Sequence, residues 1–246
     1  MPFCKMLTFS SLALMLAACN SLLPSPAPTA VQRIAWEQRQ TGCQGESCAL
    51  VNIDTLRFPA DPPLDDLVER ALLEMTRDAP KAALPASLKA YEQQFLGQAQ
   101  AGWTSYLQAK VRDQRDDLVI VELSSYLFTG GAHGMPGRGF INYDRNLQQA
   151  LSLDDMLLPG RQAVFWDLVQ QAHQAWLIRE KLDQDEAFVR DWPFQQTANI
   201  ALTSGALSLK YDVYSIAPYA MGHPELKLPY PRLKGILKPQ YLPSRG

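Results

Sequence analysis

The feature that most constrains the fold is a pair of extended segments joined by a short polar turn. Residues 103–112 (WTSYLQAKVR) alternate between apolar and polar side chains, which is the period of a strand with one buried face. A polar cluster at 113–117 predicts a turn, and 118–128 then returns with apolar residues on both faces. Since a strand that is apolar on both faces belongs inside a sheet, these segments predict an antiparallel hairpin near the centre of the fold.

The other segments complete an α+β pattern. Further strands are predicted at 33–40, 49–58, 139–143, 200–202, 207–213 and 225–228. Helices are predicted at 64–77, 86–98 and 161–184, with a short helix after Ser152 and a closing helical turn at 231–237. The buried face of the long helix is predicted to contain Val164, Phe165, Leu168, Val169, Ala172, Ala175 and Trp176. The order of the elements predicts an α+β fold in which an antiparallel sheet packs with helices.

The N-terminus predicts a bacterial lipoprotein. An apolar run at 6–18 is too short to cross a bilayer as a helix, and it ends in Leu16-Ala17-Ala18-Cys19, the pattern of a lipobox. We expect residues 1–18 to be removed as a signal peptide and lipid chains such as palmitate to be attached to Cys19. An ordinary signal peptide with an incidental cysteine is the alternative.

The residues after Cys19 predict where the protein works. Asn20 follows the cysteine, which resembles the outer-membrane sorting pattern, and the proline-rich segment 19–32 predicts an extended tether. We therefore expect a lipid-anchored protein on the periplasmic face of the envelope, with the outer membrane favoured over the inner membrane. The net charge of −2 argues against a nucleic-acid partner, because phosphate binding needs a basic surface.

Two further cysteines, Cys43 and Cys48, lie in the segment GCQGESC. In an oxidising periplasm this pair favours a structural disulfide that contributes about 2 kcal/mol. A redox pair of the CxxC type has two intervening residues rather than four, and a zinc site needs two more ligands.

The sequence carries no catalytic motif. It contains no G-x-S-x-G turn and no glycine-rich phosphate loop. Asp154 and Asp155 are adjacent, so their side chains diverge, and capping of the short helix accounts for both. We therefore predict no catalytic residue, no cofactor and no metal site.

The three histidines leave alternatives open. For His133 we favour a structural role, in which it forms hydrogen bonds to the backbone of its own glycine-rich turn. A binding contact is the second choice and catalysis the third. An envelope hydrolase or metal-dependent enzyme that uses His133 and His223 remains the alternative function. His173 borders the apolar face of the long helix, and we expect it to be a half-buried packing residue.

Three stretches resemble one family. They are 126–134 (YLFTGGAHG), the pair 141–144 (INYD) and 151–157 (LSLDDML), and the pair 214–222 (YSIAPYAMG) and 228–230 (LPY). In this order they resemble the RsiV-like ectodomain, which occurs in a lysozyme-binding anti-sigma factor and in a peptidoglycan deacetylase. The resemblance implies a small α/β subdomain at 33–101 and a larger RsiV-like subdomain at 102–246.

The resemblance also implies a function outside the cytoplasm. We expect a non-enzymatic binding module whose ligand is a lysozyme-like protein or peptidoglycan, and an assembly lipoprotein that binds another envelope protein is a further alternative. Met135-Pro136-Gly137 departs from the family pattern, so contacts of this loop are expected to differ. The candidate binding residues are Thr129, Gly130, Gly131, Ala132, His133, Gly134, Tyr214, Pro218, Tyr219, Gly222 and His223.

Overall fold

The computed structural model describes residues 29–243. The strands are β1 (Gln32–Arg39), β2 (Leu50–Arg57), β3 (Thr104–Arg115), β4 (Leu118–Phe128), β5 (Met135–Asp144), β6 (Gln149–Ala150), β7 (Ile200–Leu202), β8 (Leu207–Lys210) and β9 (Glu225–Leu228). The helices are α1 (Pro62–Glu74), α2 (Leu88–Gln98), α3 (Leu153–Met156), α4 (Gln162–Glu180) and α5 (Glu186–Asp191). The predicted signal peptide and the lipobox with Cys19 lie outside the described residues.

Strands β1 to β6 form one sheet in chain order. Its neighbouring strands are antiparallel except β2 and β3, which pair in parallel because the helices α1 and α2 form the crossover between them. The predicted α+β class is confirmed, and the parallel pair is an addition that the strand pattern did not indicate. The predicted hairpin is β3 and β4.

Strand β4 is buried on both faces where it enters the sheet, as its sequence predicts. Val119 and Val121 belong to the hydrophobic cluster that α1 and α2 cover. Leu118 and Ile120 point the other way, into a second cluster formed with α4 and the remaining strands. Because β4 contributes to both clusters, it ties the two layers of the molecule together.

The second sheet has the order β7-β8-β9, and α4 packs against β9. Among the links between this sheet and the first is a buried side chain of β5. Asn142 on β5 donates from Nδ2 to the carbonyl oxygen of Ile200 at 2.7 Å, and its Oδ1 accepts from the amide of Leu202 at 2.8 Å. Asn142 is only 3% exposed, so both hydrogen bonds are shielded from water.

The predicted boundary between subdomains, at residues 101 and 102, remains a prediction. The six-stranded sheet is continuous across it, and the two hydrophobic clusters share β4. Strand β1 begins at Gln32, one residue inside the segment predicted as a tether, and the amide of Thr29 donates to Oε1 of Gln114 at 2.8 Å. The predicted disulfide between Cys43 and Cys48 is confirmed, and it closes the loop between β1 and β2.

Two features of the long helix were predicted wrongly. Helix α4 ends at Glu180 rather than at residue 184, because Lys181 adopts a left-handed conformation with φ of 61°, and the separate helix α5 follows. The buried face of α4 also differs from the predicted one, since Val164 is 40% exposed while His173 is 2% exposed. The side chains that α4 buries are those of Phe165, Val169, His173, Trp176 and Leu177.

Strand β5 is longer than predicted. It begins at Met135 rather than at residue 139, because 135–138 pair with the last residues of β4 despite a proline and a glycine.

Among residues 29–243, no helix is both long and apolar enough to cross a membrane.

Candidate functional site

The turn between β4 and β5 is shaped by its glycines. Gly130 and Gly131 have φ of 101° and 95°, in the region that side chains disfavour. Gly134 is needed for another reason, because a Cβ atom there would lie 2.3 Å from Cζ of Tyr126. The turn 129–134 can therefore fold back onto β4 and hold His133 outward.

His133 is held at both ring nitrogens. Its Nδ1 lies 3.2 Å from the carbonyl oxygen of Gly134, and its Nε2 lies 3.1 Å from the hydroxyl oxygen of Tyr214. Because a carbonyl oxygen only accepts, Nδ1 donates to Gly134, and Nε2 is left to pair with the Tyr214 hydroxyl. The predicted hydrogen bond to the turn backbone is present, together with a second one to a residue 81 positions away.

The segment after β8 brings two tyrosines to this turn. Tyr219, in a single 3-10 turn (Tyr219–Met221), stacks on His133 with ring centroids 3.9 Å apart. Its hydroxyl donates to the carbonyl oxygen of Gly134 at 3.0 Å. Gly222, with φ of 65°, ends the 3-10 turn, and Pro218 precedes it. Two of the predicted stretches are thus joined at the same place.

Tyr214 has an unusual backbone conformation. Its φ is 64°, although bulky side chains disfavour this left-handed region by roughly 1–2 kcal/mol. The side chain is nevertheless 45% exposed, so burial of its ring does not offset this cost. Strain of this kind is concentrated at functional sites, which makes Tyr214 the residue most indicative of a binding role.

A tryptophan that the sequence reasoning missed completes the group. Trp192, at the end of α5, stacks on Tyr214 with centroids 6.3 Å apart and an interplanar angle of 24°. We name His133, Trp192, Tyr214 and Tyr219 the aromatic platform. Met135 and Met221 each lie two residues from a platform residue in the sequence, and they are 50% and 37% exposed. The proline that follows Trp192 in the sequence was a local indication that the chain turns there.

His223 is directed elsewhere. Its Nδ1 lies 3.0 Å from the carbonyl oxygen of Tyr211, and burial together with the positive charge of Arg138 lowers its pKa. No hydrogen bond or ring contact joins it to His133 within the described part of the chain. Residues 29–243 also contain no group of three His, Cys, Asp or Glu side chains placed to hold a metal. The pairing of His133 with His223 on which the enzymatic alternative depends is therefore not seen.

The chain is similar to known proteins in sequence and in fold. Residues 154–231 match the family DUF3298, described as a protein of unknown function. A crystal structure of a DUF3298 family protein from Pseudomonas aeruginosa PAO1 is 64% identical and superimposes with a TM-score of 0.85, covering 89% of this chain and 99% of that one. The chain belongs to the DUF3298 family. The predicted resemblance to the RsiV-like ectodomain is thereby confirmed at the level of the family.

Two more distant relatives extend the comparison. A DUF3298 structure from Bacteroides fragilis NCTC 9343 shares the fold, with 21% identity and a TM-score of 0.67 over 85% of this chain and 93% of that one. The peptidoglycan-N-acetylmuramic acid deacetylase PdaC of Bacillus subtilis (strain 168) is 26% identical over 134 residues. That match covers 50% of the DUF3298 chain but only 27% of PdaC.

The other family-like stretches of the DUF3298 chain are structural. Asn142 joins the two sheets, and Ser152 and Asp155 form the predicted capping box at the start of α3. The hydroxyl of Tyr230 donates to the carbonyl oxygen of Thr203 at 2.5 Å. Only the turn 129–134 and the segment 214–222 reach the aromatic platform.

Proposed function

We propose that this DUF3298 protein is a non-enzymatic binding module of the cell envelope and that its aromatic platform receives a lysozyme-like protein. The observation that carries the proposal is the strained, exposed Tyr214 between Trp192 and His133. Tyrosine, tryptophan and methionine are enriched in protein interfaces, where a few such residues supply most of the binding energy.

The platform is organised before any ligand arrives. Tyr214 and Tyr219 are both fixed by hydrogen bonds to the turn, and their rings lie 5.6 Å apart between centroids. A rigid aromatic side chain loses little conformational entropy when a partner covers it. The arrangement therefore supports recognition of a preformed surface.

The proposed location is the periplasmic face of the outer membrane. It rests on the predicted lipidation of Cys19 and on the Cys43–Cys48 disulfide, which suits an oxidising compartment. A lipid anchor keeps a binding module where an incoming lysozyme meets the envelope.

The test measures binding of purified residues 20–246 to c-type lysozyme by calorimetry, and lysozyme activity in parallel. We expect Tyr214→Ala and Trp192→Ala each to raise Kd by about tenfold or more. The matched control is Ile178→Ala, which truncates a side chain that is 61% exposed on α4, a helix that contains no residue of the platform. Absence of binding at micromolar concentrations with full lysozyme activity, or equal losses in all three variants, would refute the proposal.

A second candidate ligand is peptidoglycan, bound on the same platform. The similarity to PdaC, whose name states an activity on peptidoglycan, favours it. Co-sedimentation with isolated sacculi distinguishes the two ligands. If peptidoglycan is the ligand, we expect the wild-type chain in the pellet and the Tyr214→Ala chain in the supernatant.

A further inference from the structure

A cavity of about 290 Å³ is lined by none of the four residues of the aromatic platform. Residues after α1, residues of α2 and the start of β3 surround it, and Leu127 and Thr129 close it on the side of the turn. Its size is near the lower end of pockets that hold small ligands, about 300 Å³. It therefore suits one compact ring with its substituents. We name it the Trp103 cavity.

One wall of the Trp103 cavity is aromatic. The ring of Phe95 lies 6.0 Å from that of Tyr91 and 6.3 Å from that of Trp103, measured between centroids. The Tyr91 hydroxyl already forms a hydrogen bond with Oγ of Ser105 at 2.6 Å. The wall therefore presents ring surface rather than polar groups to a ligand.

The remaining lining combines apolar side chains with polar ones, and two of its residues, Arg77 and Asp78, are charged. The side chains of Gln94, Gln98 and Thr129 form no hydrogen bond to other described residues, so their amide and hydroxyl groups are available. Arg77 is held by both carboxylate oxygens of Glu74 and by the carbonyl oxygen of Ala82. Its charge is compensated, and Asp78 at the rim adds a negative charge, which disfavours an anionic ligand.

We infer that the Trp103 cavity is a second binding site, for the ring of a neutral sugar. A sugar ring has an apolar face of C–H groups that stacks on aromatic rings, and its hydroxyl and amide substituents pair with glutamine and threonine. The site uses none of the platform residues, so the inference goes beyond the proposed function and does not depend on lysozyme binding. Thr129 and His133 place the two sites on one turn.

The test titrates the 15N-labelled chain, residues 20–246, with the β-1,4-linked trimer of N-acetylglucosamine. We expect the indole resonance of Trp103 and the side-chain amides of Gln94 and Gln98 to shift. Trp103→Ala should weaken binding by about tenfold, and Gln98→Ala, at an exposed helix position where folding is not at risk, by about threefold.

Trp192→Ala serves as the matched control because it removes a tryptophan from the platform. Sugar binding that survives Trp192→Ala and is weakened by Trp103→Ala and Gln98→Ala supports the inference. Sugar binding that is lost in Trp192→Ala but kept in Gln98→Ala places the sugar on the platform and overturns it. Absence of any shift at millimolar sugar also overturns it. Neither overturning result changes the lysozyme assay, so the two proposals fail separately.

Discussion

Replacement of His173 by phenylalanine is expected to stabilise the protein and to reduce its sensitivity to acid. His173 is 2% exposed, and neither ring nitrogen has a hydrogen-bond partner among the described residues. The ring packs between Trp176 and Phe194, each 5.7 Å away between centroids. Phenylalanine keeps these aromatic contacts and removes two unsatisfied polar atoms.

The magnitude follows from burial and from proton linkage. Removal of the unsatisfied groups should raise the free energy of unfolding near pH 7.5 by about 1 kcal/mol, which corresponds to an increase in Tm of about 2–4 °C. Burial lowers the pKa of His173 below its usual value of 6.5. Below about pH 6.5 the unfolded chain therefore binds a proton that the folded chain does not, and stability is lost as the pH falls.

The acid-dependent part is larger than the part at neutral pH. An imidazole that stays neutral in the folded state and is protonated in the unfolded state lowers the free energy of unfolding. The decrease amounts to about 2 kcal/mol when the pH falls from about 7.5 to about 5. His173→Phe should make the free energy of unfolding fall by up to that amount less over this pH range than it does in the wild-type chain. A dependence on His223 stays in the variant, because burial and the positive charge of Arg138 lower the pKa of that imidazole as well. The carboxylates contribute little in this window, since their usual pKa values lie near 4.

Urea denaturation followed by circular dichroism measures both effects at a series of pH values. The matched control is Trp176→Phe, which trims the same aromatic cluster without changing a titratable group. It should lower the free energy of unfolding equally at every pH. If His173→Phe retains the full pH dependence of the wild-type chain, the buried imidazole is not the linked group and the reasoning is refuted.

Three further predictions concern the scaffold. Asn142→Ala should lower the free energy of unfolding by about 2–3 kcal/mol in chemical denaturation, because two backbone groups on β7 lose their partner. A loss no larger than that of an alanine substitution at an exposed position would contradict the role of Asn142 in joining the two sheets. Gly134→Ala should cost about 1–3 kcal/mol and should move the ring resonances of Tyr126 in NMR spectra, whereas unchanged spectra would contradict the close approach. Replacement of both Cys43 and Cys48 by serine should cost about 2 kcal/mol, measured as a lower Tm that reducing agent lowers no further.

The central hairpin was predictable because its information is local. Alternation in β3, apolar residues on both faces of β4 and the polar turn between them all lie within 26 consecutive residues, 103–128. The start of β5 was hidden, since Pro136 and Gly137 are poor strand residues, and only pairing with β4 extends the strand to Met135. The parallel pairing of β2 and β3 depends on the path of two helices, which no local pattern records.

The site was predictable only in part, for the same reason. The resemblance identified the turn 129–134 and the segment 214–222, but it did not indicate which side chains meet. Trp192 was missed because α5 is too short to give a helical pattern. His223 was included because it follows the segment, and its ring turns instead to the carbonyl of Tyr211.

The position of both proposed sites follows from the burial of β4. Val119 and Ile120 anchor this strand in the two hydrophobic clusters, so its direction is fixed from both sides. The turn leaves β4 where the strand is still paired with both β3 and β5, and it carries Thr129 to the lining of the Trp103 cavity and His133 to the platform. A ligand that contacts this turn therefore meets groups held within narrow limits, as strong recognition requires. Gly130 and Gly131 give the turn the positive φ angles on which this placement of Thr129 and His133 depends.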